Sequence, residues 1–164
     1  MKTSYALFFA ALVATAAFVL ATTSGLPERV GTHFGPGGAA DGWMTRDGYR
    51  LYMLAFVLLF VPFIVAMVGI LPRAFPRFVN LPHREYWLAP ERREATFAFL
   101  AGHACGFGVL TLGLLAGVHW LLLDANRGSP PHLATAPFVA LLATFLALLA
   151  VWMVALFRRF RTPR

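Results

Sequence analysis

Four long apolar runs, at about 4–24, 51–71, 95–123 and 135–157, alternate along the chain with three polar stretches. Each run holds about 20 residues or more, and at about 1.5 Å per residue such a helix matches the hydrocarbon core of a bilayer. Hydrocarbon offers no water to backbone N–H and C=O groups, so each run is expected to be helical. The fold class that follows is all-α: residues 1–164 form a single membrane domain, an integral bundle of four transmembrane helices. A polar loop over 25–50 joins the first two helices, another over 72–94 joins the second and third, and a short connection over 124–134 precedes the fourth.

Proline marks two positions. Pro62 falls near the middle of the second run, where it removes one backbone donor and predicts a kink. Pro137 falls in the opening turn of the fourth, where proline fits a helix. The first run follows Lys2 and ends in Ala21, Thr22, Thr23 and Ser24, an arrangement shared with cleaved signal peptides. Its length, and the lack of a small-x-small site followed by a soluble domain, favour a retained span.

Composition agrees with a membrane protein, because 59% of residues are hydrophobic and 13% charged, against about a quarter charged in a soluble domain. Lys and Arg outnumber Asp and Glu by 14 to 7, a balance that in a soluble chain would raise a nucleic-acid partner. Here the cations cluster near the ends of the apolar runs, with Arg50 on a boundary, and no basic stretch interleaved with exposed aromatics stands on a soluble module. They are read as topology signals that meet anionic lipid. The loop over 25–50 balances Arg29, Arg46 and Arg50 against Glu28, Asp41 and Asp47. The loop over 72–94 holds Arg73, Arg77, Arg84, Arg92 and Arg93, and the tail adds Arg158, Arg159, Arg161 and Arg164. By the positive-inside rule, both termini and the 72–94 loop are expected in the cytoplasm and the 25–50 loop outside.

Aromatic residues near the run boundaries, Trp43, Tyr49, Tyr52, Tyr86, Trp87, Trp120 and Trp152, read as interfacial anchors. In the third run, Gly102, Gly106, Gly113 and Gly117 project within roughly 60° of one another at about 100° per residue, a small-residue face suited to close helix packing. The partner on that face is either another span of the same chain or a second copy. His103, Cys105 and His119 are the polar groups of this run. An intramembrane histidine is a candidate functional group, and equally a neutral imidazole bonded to a neighbouring helix.

No cofactor or metal is expected. The histidines and acids of the outer side, His33, Asp41, Asp47, His119, Asp124 and His132, show no ligand spacing, and Cys105 is the single cysteine. Hydrolase elbows, phosphate-binding loops and H-E-x-x-H are missing, which points away from an enzyme. The Gly35-Pro36-Gly37-Gly38 stretch reads as a turn. In the 72–94 loop, Pro90 and Glu91 look like the opening of a helix that continues into the third span.

The outer loop runs Leu26-Pro27-Glu28-Arg29-Val30-Gly31-Thr32-His33-Phe34-Gly35, then Gly38, then Asp41-Gly42-Trp43. This string resembles the signature of the DUF1648 domain, in which a first span is followed by Leu-Pro, Val, His-Phe, Gly and Asp-Gly-Trp. The segment from Asn80 to Arg93 resembles a second block found in a proteobacterial branch of that family, so the likeness covers roughly the first 95 residues. The resemblance implies a bacterial inner-membrane protein, distantly related to SdpI-type proteins that confer immunity to a secreted toxin and signal its presence. The candidate functional loop residues are Pro27, His33, Phe34, Gly38, Asp41, Gly42 and Trp43. In physical terms the loop is compact and turn-rich, either a recognition surface or a cap in which His33 and Asp41 bond each other.

Two functional readings follow. One is a non-enzymatic protein that senses or binds an extracytoplasmic factor through the 25–50 loop and reports to a cytoplasmic protein partner. The other is a small permease or transporter subunit that works as a homo-oligomer. In both, the constant partner is the lipid bilayer.

Overall fold

The computed structural model describes residues 2–161; Arg164, counted above with the positive tail, lies outside them. Four helices are long and apolar enough to cross a membrane: Lys2–Thr23, Arg46–Ala74, Arg93–Ala125 and Thr135–Arg159, called here the first to fourth spans. The protein is a multi-pass membrane protein built as a four-helix bundle.

The loop between the first two spans is more ordered than its turn-rich composition predicts. Strand β1 (Arg29–Phe34) pairs antiparallel with strand β2 (Ala40–Thr45), in register Arg29 with Thr45, Gly31 with Trp43 and Phe34 with Ala40, with irregularities on either side of His33. Pro36 and Gly37 make the tip, where the Gly38 N–H donates to the Gly35 carbonyl at 2.8 Å. Strand β2 alternates in burial, but Gly42 faces in and Trp43 faces out, so its hydrophobicity pattern hides the strand.

The strand then passes directly into the second span, which starts at Arg46 rather than near 51. Thr45 caps it: its hydroxyl accepts from the Gly48 N–H at 3.1 Å, and Asp47 sits in the first turn. Within this span a π turn over Phe56–Phe60 precedes Pro62, with the Val61 N–H reaching back to the Phe56 carbonyl. Where a kink is expected at Pro62, the helix widens into this π turn one turn earlier; proline has no N–H to offer the preceding turn. The third span opens at Arg93, after a turn over 89–92, and Glu94 rather than Glu91 is the acid of its first turn.

The third span is central and packs against the other three. Its closest approaches lie at two glycines. A Cβ on Gly108 would stand 2.6 Å from Phe8 of the first span and 2.7 Å from Val65 of the second, and a Cβ on Gly117 would stand 2.6 Å from Leu141 of the fourth. Of the other glycines on the expected face, a Cβ on Gly106 would lie 3.8 Å from Trp152 and one on Gly102 3.5 Å from Ser4 of the first span, while one on Gly113 would meet nothing within 4 Å. Gly106 and Gly117 of that face turn toward the fourth span of the same chain, whereas Gly108, outside the stripe, takes the tightest crossing with the first two.

Phe8, Val57, Val61, Val65, Cys105 and Leu112 fill the middle of the bundle. Val19, Leu26, Val30, Tyr49, Met53 and Leu122 join the hairpin to one end of it, and Trp87, Phe97, Leu100 and Phe160 close the opposite, arginine-rich end. The first span is part of this core, contributing Phe8, Thr15, Ala16, Val19 and Thr23. The fourth packs on the third and buries no residue fully.

Several aromatics expected at the interface are internal. Tyr49 is 2% exposed and Trp87 9%, and Trp152 stacks on His103 at 4.2 Å between ring centroids. Trp43 and Trp120 remain outside.

Gly108→Leu is expected to cost the fold about 3 kcal/mol or more, since its side chain must displace both Phe8 and Val65, while Gly113→Leu is expected to be neutral. Thermal unfolding of the purified protein in detergent checks the contrast.

Candidate functional site at the hairpin end

Three spans meet at His119, which is fully buried. Its Nδ1 lies 2.6 Å from the Tyr49 hydroxyl of the second span, and its Nε2 lies 2.8 Å from the Thr22 hydroxyl of the first. The directions of these bonds follow from Thr22, whose single proton goes to the Phe18 carbonyl at 2.7 Å. Thr22 therefore accepts the Nε2–H of His119, and Nδ1 accepts the proton of Tyr49. The imidazole is neutral and both nitrogens are matched. Phe18 stands edge-on to the ring and Tyr49 stacks on it.

Asn126, at the end of the third span, fastens the hairpin. Its Oδ1 accepts the Gly31 N–H at 2.8 Å, and its Nδ2 donates to the Gly31 and Leu122 carbonyls at 2.9 Å each. The amide thus takes the place of a neighbouring strand for β1. On the other strand, the Ala40 N–H donates to the Pro131 carbonyl at 3.3 Å, and the Leu133 N–H donates to the Gly38 carbonyl at 2.8 Å. The His132 ring is bonded to the Gly37 carbonyl at 2.9 Å. Gly38 has φ +83°, and a Cβ there would lie 2.5 Å from the Leu133 carbonyl oxygen, so this seat takes glycine alone. Leu26, next to Pro27, is buried and accepts from Arg46 at 3.1 Å.

The candidate loop residues divide in two. His33 and Asp41 are hydrogen-bonded to each other and exposed to solvent. Gly42 lies opposite His33, where a Cβ would come within 2.6 Å of the His33 Cβ. Trp43 is 39% exposed, with the Arg29 guanidinium 4.8 Å above its ring. Phe34 turns inward instead.

Beneath the hairpin, between β1 and the ends of the third and fourth spans, lies a pocket of about 290 Å³. Phe34, Val118, Leu121, Leu122, Leu133 and Phe138 form its apolar wall, and Thr32 and His33 stand at its polar side. A cleft of this size and lining takes an apolar group and leaves a polar end at the rim.

The intramembrane pair is separated. His103 is sandwiched between Phe99 and Trp152, its carbonyl accepts from the Trp152 indole at 2.9 Å, and its buried Nε2 has no partner among the described residues. Cys105 belongs to the central core with Phe8 and Val57. Sequence reasoning passed over Asn126, and Tyr49 and Thr22 as partners of His119, because each bond spans 70 to 97 residues of chain.

The family described as Domain of unknown function (DUF1648) matches residues 10–59, from the middle of the first span through the hairpin to the π turn. Neither curated proteins nor solved structures match the chain.

Tyr49→Phe, which leaves Nδ1 of His119 buried without a donor, is expected to destabilise the protein by about 1–3 kcal/mol. Asn126→Leu, which strips both polar groups of Gly31 of their partners, is expected to cost a similar amount or more. Tyr52→Phe, on an exposed side chain of the same span, is expected to change nothing. Melting temperatures of the three variants in one detergent decide this.

Proposed function

We propose that this chain, which carries a DUF1648 domain, is a non-enzymatic protein of a bacterial inner membrane. In this reading it binds an extracytoplasmic factor by taking an apolar group of that factor into the pocket beneath the hairpin. The pocket carries the proposal: Thr32, His33 and Phe34 come from the strand that holds the family's signature, and the remaining walls come from the third and fourth spans and their connection.

Charge supports the orientation. The hairpin end carries Arg29, Arg46, Arg50 and Arg127 against Glu28, Asp41, Asp47 and Asp124, whereas the arginine-rich end carries the other 9 cations among the described residues, from 14 − 4 less Arg164, against 3 acids, from 7 − 4. Placing the neutral end outside and the positive end in the cytoplasm follows the positive-inside rule. A route for a signal also exists in the backbone, because β2 continues from Thr45 into the second span at Arg46 and on to the arginine-rich connection. A permease that dimerises on the glycine face of the third span has less support, because Leu141 and Trp152 of the same chain already cover Gly117 and Gly106.

Two measurements test this reading. With Cys105 replaced by Ala, a cysteine at Gly37, where a Cβ meets nothing within 4 Å, is expected to react with a membrane-impermeant maleimide in intact cells, and one at the exposed Glu91 is not. Labelling at Glu91→Cys reverses the orientation and removes the extracytoplasmic pocket. For the pocket itself, a photoreactive benzoylphenylalanine at Leu133 is expected to trap a discrete adduct in living cells that Leu121→Trp, by filling the cavity, abolishes. An adduct indistinguishable from that at Val151, which is 68% exposed on the fourth span, means that the pocket sees only lipid.

A further inference from the structure

The chain leaves the second span through a short turn that carries charge and grease together. Ile70, Phe75 and Phe78 are 61%, 45% and 72% exposed, and they alternate with Arg73 and Arg77, whose guanidinium lies 4.8 Å above the Phe78 ring. Exposed aromatics interleaved with arginines at the end of a span place this turn in the headgroup layer.

Between the turn and the opening of the third span is a cavity of about 240 Å³, lined by Arg73, Pro76, Leu88, Arg93, Glu94 and Phe97. Pro76, Leu88 and Phe97 supply its apolar lining, and its charged groups are unequally paired. Arg73 donates to the Glu94 carboxylate at 2.8 Å and leans over Phe97 at 5.9 Å. Arg93 makes no ion pair with an acid among the described residues. The 33-residue third span begins beside it with no side-chain cap, so the partial positive charge of its first turn adds to that of Arg93.

We propose that this cavity holds the phosphate of an anionic membrane phospholipid. Arg93 is its principal ligand and Arg73 is shared between the phosphate and Glu94, while the acyl chains run down the exposed apolar surface that begins at Ile70 and Phe75. The two guanidinium groups supply the forked donors that phosphate geometry suits, and the cavity's place at the end of two spans is where a lipid presents its headgroup. This site lies at the end of the bundle remote from the hairpin pocket and does not depend on what that pocket binds.

The full-length protein in detergent, titrated with phosphatidylglycerol or phosphatidylcholine and read by native mass spectrometry, tests the assignment. One phosphatidylglycerol is expected to bind in preference to phosphatidylcholine, and Arg93→Gln is expected to weaken it about tenfold. Arg158→Gln, with the same loss of charge at the same end, is expected to leave it unchanged. Glu94→Gln, which releases Arg73, is expected to tighten binding, and the matched Glu85→Gln is not. Arg93→Lys, which keeps the charge but not the fork, is expected to lose several-fold and guards against a folding defect in Arg93→Gln. Equal losses in Arg93→Gln and Arg158→Gln overturn the site in favour of diffuse attraction. Displacement of the lipid by glycerol 3-phosphate at equal concentration overturns it in favour of a soluble phosphate ligand.

Discussion

Burying a histidine in the apolar interior of a membrane bundle is least costly when both ring nitrogens find partners, and at His119 the partners come from two other spans. Tyr49 gives a proton to Nδ1, Thr22 takes the one on Nε2, and Thr22 passes its own to the Phe18 carbonyl. Leaving any of these groups unmatched in a dry interior is costly, so the bonds fix how far the first and second spans may slide or rotate against the third. The second span is held within its first turns, close to where β2 ends. The position of the hairpin is therefore set from inside the bundle.

Asn126 completes that arrangement with a backbone-like pairing to Gly31. Together with the 131–133 segment against Gly38 and Ala40, it holds the hairpin down along both edges, which also removes much of the exposed strand edge. The pocket is a result of this docking: β1 lies over the ends of the third and fourth spans, and Phe34 reaches into the gap. Its side walls include the fourth span, which is attached by its packing on the third, by the short connection and, at its far end, by Leu156 and Arg159 beside Trp87. The docked hairpin and the fourth span are thus linked through Phe138 and Leu133.

The spans were legible in the sequence because bilayer thickness and apolar run length impose themselves directly, and the bounds at Thr135 and near Ala125 fall close to where hydropathy places them. The hydrogen-bonded pair of His33 and Asp41 was also readable, being eight residues apart in one loop. The hairpin was not, since Gly31, Gly35, Gly37, Gly38 and Pro36 dominate its composition and Trp43 points out of its buried face. Tyr49 read as an interfacial anchor because its type and place near a span end fit one. Its burial depends on His119, 70 residues away. The glycine stripe of the third span was visible, but the tight crossing at Gly108 was not, because a single glycine carries no periodicity. The pocket joins side chains from 32 to 138, a juxtaposition that only the docked hairpin creates.

The central claim is that the hairpin is a docked part of the membrane bundle and not a free loop above it. Amide hydrogen exchange of the whole protein in lipid nanodiscs tests this most directly. Docking predicts that Gly31 and the paired amides of β1 and β2 exchange orders of magnitude more slowly than exposed amides of the connection over 75–85, because their opening requires Asn126 to release the strand. Exchange across 29–45 as fast as in that connection would mean that the hairpin is not held, and the pocket beneath it would go with it.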